Sequence, residues 1–218
     1  MTLEAVVFDF DGTILDTESS ELTAWLEEYA RYGVPFDRVA WLASIGGSGG
    51  ELDPAAELAR VVGGSFDAAA TRSRQRRRWL ELVGEAELLA GVEERLDEGD
   101  ELGLKLAVAT SSSVRWAGEH LRRLGLLDRF AAVCTRDDVE RVKPDPEVYL
   151  LACERLGVAP ANALAIEDSA NGVRAANAAG LFTVAVPNPV TAGQDHGHAD
   201  LRVRSLTELS LRDLVARL

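Results

Sequence analysis

Ala5-Val6-Val7-Phe8-Asp9-Phe10-Asp11-Gly12-Thr13 decides how the rest of the chain is read. Four apolar residues stop abruptly at an aspartate, the pattern of a short strand buried on both faces that runs into a polar loop. Working outward, the same pattern recurs at residues 104–110 (LKLAVAT), 131–135 (AAVCT), 163–166 (ALAI) and 182–186 (FTVAV). Helical stretches over 113–124, 146–156 and 171–179 separate them. Alternating strands and helices predict an α/β fold with a doubly wound parallel sheet. Ligands in such sheets bind beyond the carboxyl ends of the strands, where Asp9, Thr110 and Glu167-Asp168 would lie.

Residues 17–86 break the rhythm. Leu22, Trp25, Leu26 and Tyr29 follow helical spacing, and no strand pattern appears before residue 87. The reading is an α/β core of residues 1–16 and 87–218 with an inserted α-helical cap of residues 17–86, joined near 15–18 and 85–89. A glycine-rich stretch, 46–50, is either a specificity loop or a connector. Trp25, Trp41 and Trp79 are expected to pack the cap. Helix ends are legible too: Asp145 should cap a helix with Pro146 at its first position. Ser169 should cap a helix whose Ala175, Ala176 and Ala179 permit close packing and whose end is Gly180. The acidic run 93–101 reads as a solvated helix face.

The 218 residues amount to roughly one and a half domains, which fits one domain with an insertion. Hydrophobic residues at 47% and charged residues at 27% are ordinary for a globular chain. No run approaches the length of a membrane span, and the N-terminus lacks a signal-peptide pattern, so a cytoplasmic location is expected. Cys134 and Cys153 are expected as packed thiols in a reducing compartment. With 23 Lys and Arg against 36 Asp and Glu, the net charge is −13, which argues against nucleic-acid and anionic-membrane partners. Without long heptads or an apolar surface stripe, a monomer is the default. An anionic substrate would need positive charge supplied within the site itself.

Asp9 and Asp11, one residue apart, repel each other unless a cation or proton intervenes. Carboxylates at a strand end suit Mg²⁺, and Gly12 lets backbone amides approach an anion. The plainer alternative is an Asx-turn with an incidental second aspartate. Thr110-Ser111-Ser112 offers hydroxyls and amides at a helix N-terminus, a phosphate cradle, although Ser112 could simply cap that helix. Lys143 sits in a proline-bounded turn, RVKPDP, and Glu167-Asp168 could complete a metal site. Acid, hydroxyl, lysine and acid at successive strand ends form a constellation that chance does not readily assemble.

DFDGTILDTE, ATSS, KPDPEVY and IEDSANGVRAA together resemble the haloacid dehalogenase-like hydrolase superfamily, in the branch containing β-phosphoglucomutase and phosphoglycolate phosphatase. The resemblance covers nearly the whole chain and is thinnest in the cap. It implies that Asp9 is a nucleophile forming an aspartyl-phosphate and that Asp11 is the general acid and base. It implies Mg²⁺ held by the Asp9 carboxylate, the Asp11 backbone carbonyl, Asp168 and Glu167. It further implies phosphate binding by Thr110 and by amides around Gly12 and Ser111, with Lys143 balancing charge. An acid at position 11 points away from the family's dehalogenases. Glu21 stands where the mutases have a cap histidine, the 46–50 loop lacks their arginine, and no lysine for a phosphonatase-type Schiff base occurs between Glu18 and Glu85. The expectation is a Mg²⁺-dependent phosphatase of a small phosphorylated metabolite. A sugar phosphomutase and a non-catalytic phospho-ligand-binding protein are the alternatives. Arg72, Arg74, Arg76, Arg77 and Arg78 are either a solvated face paired with acids, the favoured reading, or an anion-binding face turned to the cleft.

Overall fold

β1 (Ala5–Phe8) lies between two parallel neighbours, β2 (Lys105–Ala109) and β4 (Ala163–Glu167), with register Val7↔Ala107 and Val7↔Ala165. The computed structural model describes residues 2–44, 52–64 and 66–217. β3 (Ala132–Cys134) pairs with β2, and β5 (Phe182–Ala185) pairs with β4. A two-residue edge strand, β6 (Leu201–Arg202), pairs with β5. The order β3-β2-β1-β4-β5-β6 is parallel throughout and reverses direction between β1 and β4, the position where such sheets open a crevice.

Side-chain size alternates across this sheet and sets how closely each layer packs. Val6, Phe8, Leu106, Val108, Leu164 and Ile166 face one layer, built from α5 (Val92–Glu101), α6 (Val114–Arg123) and α9 (Leu211–Arg217). Ala5, Val7, Ala107, Ala109, Ala163 and Ala165 face the other, where α7 (Glu147–Leu156) and α8 (Ala170–Ala179) lie. The small residues let those two helices approach closely, with Ala152, Ala175 and Ala176 completing the contact. Cys134 and Cys153 are free and buried in this second layer, as expected.

Among the described residues, four helices lie between β1 and α5: α1 (Thr17–Arg31), α2 (Arg38–Ser44), α3 (Pro54–Val62) and α4 (Ala68–Glu85). They have their own apolar cluster of Leu22, Trp25, Tyr29, Trp41, Ala55 and Leu58, which Val190 joins from the core. Their entry and exit are stitched together by a Leu15↔Leu88 bridge and by the Leu89 amide, which donates to the Ile14 carbonyl at 3.0 Å. The 46–50 stretch lies outside the described residues.

The structure revises several local expectations. Ser169 caps α8 through the Gly172 amide, and Gly180 ends it at φ +87°, as predicted. The helix after KPDP begins one residue late, with Pro146 at the cap position, although Asp145 Oδ1 still accepts from the Glu147 amide at 3.1 Å. Ser113, not Ser112, caps α6, because Ser112 is engaged elsewhere. The acidic run is not wholly solvated: Glu98 is buried and accepts from the Leu211 and Arg212 amides, each at 3.0 Å, at the start of α9. β6 and α9 carry too little periodic pattern to be read from sequence.

Candidate active site

The pairing of β1 with β4 continues one residue past the strand, where the Asp9 amide donates to the Ile166 carbonyl at 2.9 Å. The chain then turns back, with the Ile14 and Leu15 amides both donating to the Phe10 carbonyl. Gly12 is required at this turn twice over. Its φ is +83°, and a Cβ there would stand 2.4 Å from Asp168 Oδ2. The Gly12 amide donates to the Leu15 carbonyl at 2.8 Å, and the missing side chain makes room for Asp168.

Lys143 is the hub of the buried charges. Its Nζ donates to Asp9 Oδ1 at 2.5 Å, Glu167 Oε1 at 2.6 Å and the Ala109 carbonyl at 2.8 Å, which uses all three ammonium donors. Burial alone would push Lys143 down, but Asp9 and Glu167 outweigh it and hold the ammonium charged. Tyr149 adds a hydroxyl donated to Glu167 Oε1 at 2.8 Å and a ring 4.9 Å from the ammonium. Glu167 Oε2 accepts from the amides of Asp168 and Ser169 and from the Ser169 hydroxyl. This carboxylate is packed so tightly that a Cβ on Gly172 would fall 1.7 Å from Oε1.

Asp9, Glu167 and Asp168 can each direct an oxygen to within 4.8 Å of the others, and all three are buried. One ammonium does not balance three carboxylates. Burial pushes Asp9 and Asp168 well above the usual carboxylate range, with neighbouring acids adding and Lys143 opposing. An excess of buried carboxylate over positive charge, presented as oxygen donors, is the chemistry that suits a hard divalent cation. The Asp11 carboxylate is not part of this cluster.

Asp11 turns instead toward the β2 end. Ser112 Oγ donates to its Oδ2 at 2.6 Å, Thr110 Oγ1 lies 3.5 Å from the same oxygen, and Trp116 Nε1 donates to Oδ1 at 2.9 Å. The Trp116 indole stacks on Trp79 of α4, with centroids 4.9 Å apart and planes inclined by 24°. Trp79 Nε1 donates to the Thr17 carbonyl at 2.9 Å. Trp25 and Trp41 pack the helical insertion as expected, whereas Trp79 sits at the boundary with the core.

These groups line one cleft of about 570 Å³. Asp9, Asp11, Thr110, Ser111, Lys143 and Asp168 all face it, joined by Thr17, Glu18, Glu21, Arg76 and Trp79 from the helical insertion. Glu167 and Gly12 stand behind the wall rather than in it. Burial pushes the Glu21 carboxyl up, and pushes Glu18 up to about 7. The arginine row divides. Arg72 pairs with Asp53, Arg74 with Glu28 and Arg78 with Glu27, while Arg76 faces the cleft.

Sequence reasoning missed Asn188, Trp116, Tyr149 and His196. Asn188 Nδ2 donates to Asp168 Oδ2 and Glu18 Oε2, both at 2.8 Å, tying core to insertion. His196 Nε2 lies 2.7 Å from the Asp168 carbonyl. The Asn-Pro turn after FTVAV hints at Asn188, and Tyr149 closes KPDPEVY without a role being read for it; Trp116 and His196 sit in stretches with no local motif.

The chain is similar to known proteins in both sequence and fold. The sequence model of the haloacid dehalogenase-like hydrolases matches residues 3–180. A Thermotoga maritima phosphorylated carbohydrates phosphatase is 37% identical over 181 residues, covering 82% of each chain. The β-phosphoglucomutase of Bacillus subtilis is 33% identical over 218 residues, covering 96% of this chain and 92% of its own. The crystal structure of CbbY from Rhodobacter sphaeroides in complex with phosphate superposes with a TM-score of 0.72 at 32% identity, covering 96% and 97% of the two chains.

Proposed function

Because the chain belongs to the haloacid dehalogenase-like hydrolases, we infer that it is a Mg²⁺-dependent phosphatase of a small phosphomonoester, a sugar phosphate or similar metabolite, acting through an aspartyl-phosphate. The observation that carries this reading is the placement of Asp9, Asp11, Lys143 and Asp168 on one cleft. Residues 1–16 and 87–218 act as the catalytic core and 17–86 as the cap.

In this reading an Asp9 carboxylate oxygen attacks the substrate phosphorus while the ester P–O bond breaks. The bonding pair goes to the leaving oxygen, which takes a proton from Asp11. Asp11 then accepts a proton from water as its oxygen attacks the acyl-phosphate, releasing inorganic phosphate and restoring the Asp9 carboxylate. Lys143 holds Asp9 in place and lowers the charge against an approaching phosphate. Thr110 and Ser111 supply donors at the β2 end. Mg²⁺ on the Asp9, Asp168 and Glu167 side, with the Asp11 carbonyl, would neutralise phosphoryl charge and orient its oxygens. Glu167 contributes chiefly by fixing Lys143, since its oxygens are already occupied. Cap helices α1 and α4 wall the cleft opposite the strand ends and exclude water when closed.

A sugar phosphomutase is the second reading, favoured by the 33% identity to a β-phosphoglucomutase. Against it, Glu21 faces the cleft where that activity's histidine is expected, and a phosphatase needs only water as acceptor. A protein that binds phospho-ligands without turning them over is a third, opposed by the intact acid and lysine set. The chain acts as a monomer in the cytoplasm, a location that suits two free buried thiols. Among the described residues no helix is long and apolar enough to cross a membrane.

The test is phosphate release from sugar phosphates, phosphoglycolate, nucleotides and an aryl phosphate, with and without Mg²⁺, beside Asp9→Asn. Metal-dependent release that Asp9→Asn abolishes is the expected result. Isomerisation of a phosphosugar without release would replace the phosphatase with the mutase. Tight ligand binding without turnover would replace both.

A further inference from the structure

Five arginines crowd one stretch of α4, yet only one of them faces the cleft. Arg72, Arg74 and Arg78 are held by carboxylates of the insertion itself. Arg77 is exposed and does not line the cleft. Arg76 is exposed, has no ion pair or hydrogen bond among the described residues, and carries its guanidinium carbon 5.8 Å from the Trp79 ring centroid.

The geometry points to Arg76 as the binding site for a second anionic group, a distal phosphate or carboxylate, on the phosphomonoester substrate. This rests on the phosphatase reading of the cleft and adds the class of substrate. Three observations converge on it. Lys143 has no donor left for a second anion, because Asp9, Glu167 and the Ala109 carbonyl take all three. The other charged groups that α1 brings to the cleft are the acids Glu18 and Glu21, so the insertion's positive contribution there comes from Arg76. The indole beneath the guanidinium restrains its plane, which reduces the ordering cost of a bidentate contact to an oxyanion. A cleft of about 570 Å³ has room for a small metabolite carrying charge at both ends. In a chain of net charge −13, an arginine without a carboxylate partner at the mouth of a catalytic cleft is placed for a ligand. The competing cation on the rim is Arg136, whose guanidinium sits 3.8 Å from Asp137.

The experiment compares kcat/KM within matched pairs: fructose 1,6-bisphosphate against fructose 6-phosphate, and 3-phosphoglycerate against glycerol 3-phosphate. An aryl phosphate serves as the calibrating substrate. At least one doubly anionic probe should be preferred over its mate, and the pair that shows it tells phosphate from carboxylate. In Arg76→Gln that preference ratio should fall about tenfold, with partial recovery in Arg76→Lys. Arg77→Gln removes the same charge from the same helix and should leave the ratio within about twofold of the original. A ratio unmoved by Arg76→Gln, lowered equally by Arg77→Gln, or lowered only by Arg136→Gln would overturn the assignment. So would the absence of any preference in a protein that hydrolyses the aryl phosphate. Failure to release phosphate from every probe, the aryl phosphate included, would instead overturn the phosphatase reading beneath it.

Discussion

The strand ends and helix α4 both concentrate charge, but they use it in opposite ways. At the strand ends Lys143 and its carboxylates are nearly inaccessible, with side-chain exposures of 4% for Lys143, 9% for Asp9 and 0% for Glu167. On α4 the pairs Arg72–Asp53 and Arg78–Glu27 are about half exposed or close to it. Water screens the second set, so each pair contributes roughly 0–1 kcal/mol and can be exchanged without consequence for the fold. The first set has no water to fall back on, and losing one partner leaves a bare buried charge. What separates the two sets is whether a lost partner can be replaced by solvent.

Lys143→Met tests that contrast most severely. The substitution keeps the aliphatic stem and strands Asp9 and Glu167 without their counter-charge. Phosphate release should fall about 1,000-fold, the scale seen when a stabilising donor is deleted from a reactive centre. The urea unfolding midpoint should drop by the equivalent of roughly 3–5 kcal/mol. The corresponding change on the helix, Arg78→Met, should move the midpoint by less than about 1 kcal/mol. Similar losses from both would erase the distinction.

Trp116 stands at the border between the two regions, bonded to Asp11 on one side and stacked on Trp79 on the other. Trp116→Phe removes the N–H donor and keeps an aromatic face for the stack. If the indole positions the acid, kcat should fall about tenfold while KM stays within about threefold and the melting temperature is unchanged. Loss of KM or of thermal stability with kcat preserved would make Trp116 a packing residue alone.

Legibility from the sequence follows the same division. Asp9, Asp11, Thr110, Lys143 and Asp168 are recognisable because each lies within three residues of a strand end or in a proline-bounded turn, where the local pattern is distinctive. Their convergence on one cleft follows from the parallel sheet, which places every strand's carboxyl end on the same side. Asn188 and Trp116 reach the site from a loop and a helix face whose local sequence is shared with ordinary core or surface positions, and Tyr149, although it closes KPDPEVY, looks like one more apolar residue of α7. The arginines of α4 show the limit most clearly. Helical spacing suggested that Arg72 and Arg76 share a face, yet Asp53 captures one and leaves the other to the cleft. That choice depends on tertiary neighbours, which spacing does not encode. Gly12 shows the converse: the sequence marks it as a backbone requirement, and the structure adds a second one, space for Asp168, that no local pattern encodes.

Glu98 falls between the two extremes and gives the finest test. It belongs to an acidic run that reads as solvated, but its carboxylate is turned inward onto the first amides of α9 and lies 3.0 Å from Arg95. Burial works to raise its pKa; the Arg212 and Leu211 amides, Arg95 and the Ser210 hydroxyl outweigh it and hold it below the usual glutamate value. A carboxylate with a depressed folded pKa contributes stability that is present above its unfolded pKa and is lost as pH falls through the folded one. Glu98→Gln should therefore cost about 1 kcal/mol at pH 7, the worth of a helix cap, read from urea unfolding midpoints. The gap between variant and parent should shrink as pH drops below about 4, because the parent's carboxylate is then protonated too. A gap that persists unchanged into acid would mean the loss comes from shape and not from charge, placing Glu98 with the packing residues of the core.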